Sequence, residues 1–124
     1  MKSSKIDDDE NALFEMANIY PGESGLSMTV WVGPRGRARH DVRVKVNLTH
    51  GNQMSIGNTA VVAVRPSPHL IAGHLSATDL RAVSDWIRLN EGAIVAHWDG
   101  RISAIEFGRR MQRLLPPRAT TVDG

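Results

Sequence analysis

The chain has 124 residues, 41% of them apolar and 23% charged, which suits one domain with a core of its own. It contains no cysteine, which excludes a disulfide framework, a thiolate zinc site and a cysteine nucleophile together. No apolar run approaches the roughly 18 to 20 residues that a membrane-crossing helix needs.

The net charge of +2 hides a polarity along the chain. Residues 1–24 carry two lysines against six acids, a balance of −4, and residues 25–124 carry 13 lysines and arginines against seven acids, a balance of +6. A basic domain draws polyanions through its long-range field, whether nucleic acid or an acidic protein. The opening MKSSKIDDDE has no apolar stretch behind its lysines and does not read as a secretory signal, so a cytoplasmic location is the expectation.

Residues 1–12 are polar and acidic, without an apolar period, and are expected to form a disordered leader to a single domain over 13–115. Leu13, Phe14, Met16, Ile19 and Tyr20 then supply apolar surface for a helical turn or an edge strand, which Pro21 and Gly22 end. From Leu26 the period becomes two. Leu26, Met28, Val30 and Val32 alternate with Ser27, Thr29 and Trp31, the pattern of a half-buried strand. Gly33, Pro34, Arg35 and Gly36 mark a turn. A second alternation follows, with Val42, Val44, Val46 and Leu48 inward and Asp41, Arg43, Lys45 and Asn47 outward. The two runs read as an antiparallel hairpin with a basic tip from Arg35 to Arg39.

Residues 59–64 are apolar on both faces and read as a central strand ended by Pro66 and Pro68. His69 to Gly73 suit a short edge strand. Ser76 is placed to cap a helix through the amide of Asp79, and Leu80, Val83, Ile87, Ile94 and Trp98 form its apolar stripe, with Trp86 beside it. Both tryptophans are expected in the core. Gly92 predicts a break or kink near Asn90 and Glu91, since glycine costs a helix about 1 kcal/mol relative to alanine. Ser103 and Glu106 form a capping box for a further helix carrying Phe107, Met111 and Leu114, and Pro116-Pro117 leads into a flexible tail over 116–124. Strands first and helices after predict an α+β fold. A small antiparallel sheet of three or four strands in the N-terminal half would be covered on one face by two or three C-terminal helices.

No catalytic signature appears. The five histidines (His40, His50, His69, His74 and His97) lack the close spacing of metal ligands on one element, and no phosphate loop or nucleophile elbow is present. No catalytic residue, metal or cofactor is therefore assigned. One constellation stands out on the hairpin. Pairing Val30 with Val44 and Val32 with Val42 sets Trp31 across from Arg43 and Thr29 across from Lys45. The face turned from the helices then shows Trp31, Arg43 and Lys45, continued by Arg35, Arg37, Arg39 and His40. An aromatic ring among cations suits an acidic protein partner, the favoured reading, and also suits stacked bases and phosphates. A solvated or self-covered face is the plain alternative, with Trp31 beneath Leu13, Phe14 or Tyr20. The enzymatic alternative is a small toxin-type ribonuclease using His40 with Arg37, Arg39 and Arg43.

The run Leu80, Val83, Trp86, Ile87, Asn90, Ile94 and Trp98 resembles the C-terminal helix of a family of small bacterial domains encoded beside toxin–antitoxin-like genes. Arg37-Ala38-Arg39-His40 occupies the place of that family's basic, histidine-bearing loop, without its Pro-Pro-His run. The resemblance implies an accessory or regulatory protein of a bacterial chromosome or mobile element, and the binding reading of the hairpin face would suit a mobile-element accessory factor or an inhibitor of a host nuclease.

Overall fold

The computed structural model of the chain describes residues 16–52, 55 and 57–115. The acidic leader over 1–12, the side chains of Leu13 and Phe14, and the tail over 116–124 lie outside the described residues. The fold is α+β. Five strands, β1 (Ala17–Ile19), β2 (Met28–Val32), β3 (Arg43–His50), β4 (Thr59–Ala63) and β5 (His69–Ala72), form one sheet in the order β1-β2-β3-β4-β5. Every neighbouring pair is antiparallel. The short helix α1 (Pro21–Ser24) separates β1 from β2, and the long helix α2 (Ala77–Trp98) and α3 (Ala104–Arg110) follow the sheet.

Alternation accounts for the two faces. Met28, Val30 and Val32 of β2, Val44 and Val46 of β3 and Val62 of β4 join Val83, Trp86, Ile87, Ile94, Trp98 and Phe107 in one buried cluster. The inner face of the sheet is thus closed by α2 and α3, and Trp86 and Trp98 are buried as expected. Burying a side chain of this size contributes roughly 1.5–3 kcal/mol, so this cluster supplies the main driving force. Leu48, expected inward, is instead exposed near the end of β3.

The sheet has one strand more than the pattern predicts. Ile19 pairs with Val30 and is buried, which makes the ambiguous 13–20 segment an edge strand from Ala17. α1 follows at once, with the Tyr20 N–H donating to Glu23 Oε1 at 3.0 Å. Gly25 then turns the chain at φ +85°, and a Cβ there would collide with the backbone of Leu114. That close approach lets the Leu114 N–H donate to Ser24 O at 2.7 Å, tying the end of the domain to its beginning.

α2 runs unbroken for 22 residues, roughly 33 Å, so the expected kink at Asn90 and Glu91 is absent. Gly92 is exposed with open space around it, and its cost is outweighed by the packing on either side. Asn90 is a clamp rather than a breaker. Its buried amide donates to Trp86 O and Gln112 O, both at 3.0 Å, and its Oδ1 accepts the Gln112 N–H at 2.6 Å. Both predicted caps form, with the Asp79 N–H donating to Ser76 Oγ and the Glu106 N–H to Ser103 Oγ. No helix among the described residues is long and apolar enough to cross a membrane.

Candidate functional site

The outer face of the sheet carries Thr29 and Trp31 from β2, Arg43, Lys45 and Asn47 from β3 and Ala63 from β4. Its two ends are finished differently. Towards the end of β3 the loop to β4 folds back. Thr29 Oγ1 donates to Gly51 O at 2.9 Å, Asn47 Nδ2 donates to Thr49 O at 2.9 Å, and the Ser55 N–H donates to Asn47 Oδ1 at 3.2 Å. Thr29 and Asn47 are buried there with their bonding satisfied.

At the other end, residues 33–42 leave β2 and return to β3 as a long strap rather than a tight hairpin turn. Pro34 cannot donate to a ladder, so pairing stops at the end of β2. The Arg35 N–H donates to Trp98 O at 2.8 Å and the Ala38 N–H to Arg35 O at 2.8 Å. The strap thereby crosses the C-terminal end of α2, where cations are favoured by the helix dipole. It is pinned at its far side by Asp41, whose carboxylate takes Arg65 Nε and Nη2 at 2.8 Å each. That two-point bond, with help from the Val42 N–H, holds the Asp41 carboxyl down at about 2 from an ordinary 3.8. The Arg65 guanidinium is raised in turn by the same bond.

The length of this strap sets the register, and the register differs from the expected one by two residues. Val30 pairs with Val46 and Trp31 with Lys45, so Trp31 does not face Arg43. Arg43 pairs with Ala63 on its other side. A slip of two keeps each side chain on its face, which is why the inward and outward assignment survives. Trp31 itself is only 6% exposed, between Asn18 of β1 and Lys45 of β3. The open aromatic platform expected from the alternation is therefore corrected to a covered indole. Tyr20, one of its suggested covers, is 39% exposed.

The strap and the outer face line a half-open cavity of about 260 Å³. Trp31, Trp98 and Met16 give it apolar walls, Gly33, Pro34 and Ala38 bring the strap alongside, and His40, Arg43 and Lys45 supply its polar lining. Four residues singled out from the sequence thus meet at one place, namely Trp31, His40, Arg43 and Lys45. Arg35, Arg37 and Arg39 are exposed on the strap and do not line the cavity. The His40 ring stacks on Trp98 with centroids 5.5 Å apart and 30° between planes. Its Nδ1–H donates to Asp41 O at 2.8 Å, which in the neutral imidazole leaves the lone pair on Nε2.

Arg43 and Lys45 give the cavity its chemistry. Five arginines among the described residues (Arg65, Arg88, Arg101, Arg109 and Arg110) pair with carboxylates. Among the described residues no carboxylate pairs with Arg43 or Lys45. The Arg43 Nε is moreover closed off from solvent without an acceptor, a condition that typically costs about 1–3 kcal/mol. A half-buried guanidinium with an unfilled donor beside an ammonium is a ready receptor for an anion.

The sequence missed Trp98 as part of this site, because its place in the apolar stripe already explained it. It also passed over Asp41, the one acid within a basic run, whose pairing with Arg65 spans 24 positions. The remaining histidines lie elsewhere. His50 donates through Nε2 to Asp79 Oδ2 at 2.9 Å, His69 bonds Ser67 O, and His97 is buried against Phe107. Among the described residues no group of three or more His, Asp or Glu side chains gathers to hold a metal ion. No family model, curated protein or solved structure matches this chain.

Proposed function

We propose that this chain is a small non-enzymatic binding or regulatory protein of bacterial or mobile-element origin, acting in the cytoplasm, that engages a protein partner through the basic end of its sheet. The observation that carries the reading is the contrast among the cations. Five arginines elsewhere pair with carboxylates of the same chain, whereas among the described residues no carboxylate lines the cavity of Arg43 and Lys45. Exposed Arg35 and Arg39 extend this charge to the strap. Unpaired charge on an ordered surface steers complementary partners and selects among them. Trp31 acts in this reading as a wall of the site and not as an inserted anchor.

A second reading, binding to nucleic acid, draws support from the exposed arginines of the strap, which suit phosphates. A ribonuclease centred on His40 needs a second acid–base group facing it. Among the described residues the other ionisable side chains lining the cavity, Arg43 and Lys45, supply positive charge and not a base.

Affinity capture from bacterial lysate tests the proposal, run with the wild-type chain and with an Arg35→Glu, Arg39→Glu, Lys45→Glu variant, with and without nuclease treatment. A protein retained after nuclease treatment and released by the charge reversal is the expected outcome. Retention that disappears with nuclease, or that weakens steeply with salt as counterion release requires, selects nucleic acid instead. Equal retention by the variant overturns both.

A further inference from the structure

We infer that the cavity at the end of β2 is a carboxylate-binding site, taking the side chain of one acidic anchor residue on the partner between Arg43 and Lys45. This deepens the protein-partner reading and rests on it. Size points to a single group. Ligand cavities for small molecules run from about 300 to 1,000 Å³, and this one, at about 260 Å³, falls below that range and has room for one side chain.

The chemistry points to a carboxylate. The molecule already shows how its arginines hold one, since Arg65 grips Asp41 side-on through Nε and Nη2. Arg43 lines the cavity and its Nε has no partner in the fold, so a small turn of the guanidinium lets an entering carboxylate take a bond that the fold leaves open. Lys45 lies on the same strand and face, two residues along, to share the second charge. Trp31 and Trp98 keep water from the walls and give the methylenes of a glutamate apolar surface, and a drier wall strengthens the charged bond. Gly33 lines the same cavity as Arg43 and, having no side chain, leaves the space free. Among the described residues a Cβ there would meet only Met16, at an ordinary 3.6 Å. A nucleic-acid phosphate arrives on a continuous backbone and suits an open groove, whereas this cavity is walled by Gly33, Pro34 and Ala38 of the strap and by Trp98.

The three indole N–H signals make the test specific, because Trp31 and Trp98 line the cavity and Trp86 does not. The full chain is titrated, with two-dimensional NMR detection, against a capped Ala-Ala-Glu-Ala-Ala peptide. Parallel titrations use the glutamine version of that peptide, the glutamine version with a free C-terminal carboxylate, and a five-nucleotide oligothymidine. Saturable shifts of Trp31 and Trp98 by the capped glutamate peptide, with Trp86 still, support the site. Arg43→Lys keeps the charge and loses the side-on grip, and is expected to weaken the peptide about tenfold. Gly33→Val keeps both cations and fills the space, and is expected to abolish the shifts. An unchanged Trp86 signal and melting temperature show that these variants fold.

Equal shifts from the capped glutamine peptide overturn the assignment, as does wild-type binding by both variants. Response to the free C-terminus alone, or to the oligonucleotide at lower concentration than the peptide, overturns it in favour of that ligand. The two proposals fail separately. Peptide binding with no partner captured leaves the pocket and removes the partner reading. Capture that survives Gly33→Val keeps the partner and removes the pocket.

Discussion

Trp86 and Arg43 share an unusual property, yet they sit in regions built to opposite ends. Each carries a buried side-chain nitrogen without a hydrogen-bond partner, Nε1 of the indole and Nε of the guanidinium. Around Trp86 the sheet and α2 close completely, and the ring lies in the cluster of Val83, Ile87, Ile94 and the strand valines. Nothing can reach that N–H, so its cost is a packing compromise offset by the area the ring buries. Around Arg43 the strap stands off the sheet and leaves a cavity that the side chain lines, so a small turn of the guanidinium brings its unfilled donor to a ligand and recovers the same kind of cost. An unsatisfied donor therefore signals a site only where there is space beside it. The outer face repeats the lesson within one sheet, since Thr29 and Asn47 at its closed end have their partners in the chain and Arg43 at its open end does not.

The comparison can be broken most severely at Trp86. Trp86→Ala is expected to lower stability by about 3–5 kcal/mol, measured by urea denaturation, because the sealed region cannot collapse around the loss. Asn47→Leu removes the partner of the Ser55 N–H and of Thr49 O, and is expected to cost about 1–3 kcal/mol by the same measurement. Arg43→Met should lie within about 0.5 kcal/mol of wild type, on either side, because it deletes an orphan donor together with a charge that has no partner. A loss at Arg43 as large as that at Asn47 would show that Arg43 supports the fold, and the contrast between the two ends would collapse.

The smallest effect concerns the pin on the strap. The Asp41 carboxyl lies at about 2 in the folded chain against an ordinary 3.8, chiefly through its bond with Arg65. A depressed carboxylate stabilises the fold above its unfolded value, and that contribution is lost as the pH falls towards about 2. An NMR titration of the Asp41 side chain is expected to show its midpoint at about 2, rising towards 3.8 in Arg65→Met. An unmoved midpoint would mean that Arg65 does not hold the strap, and the cavity would need another wall anchor.

Several features could be read locally because they are decided locally. The alternation of Met28, Val30 and Val32 against Thr29 and Trp31 set the faces of β2, since successive residues of any strand point oppositely. Ser76 and Ser103 announced their helices because a cap bonds an amide only three residues away. Residues 59–64, apolar on both faces, announced a strand with a neighbour on each side, and β4 has β3 and β5. The acidic 1–24 and basic remainder needed only counting.

The site was legible as a list of residues and not as a place. Whether Val30 meets Val44 or Val46 depends on how much chain the strap consumes, and the anchors that fix it, Trp98 O on Arg35 and Arg65 on Asp41, come from distant segments. Both registers satisfy the same alternation, so no local preference separates them. Trp31 is covered, and Trp98 joins His40 at the cavity, only because α2 ends beneath the strap. Ala17–Ile19 became a strand because β2 offered it an edge, and α2 ran straight through Gly92 because packing outweighs a propensity of about 1 kcal/mol. Short-range periodicity and capping belong to the sequence by itself. Register, cover and the vacant hydrogen bond at Arg43 arise from long-range closure, which acts only once the whole chain has folded.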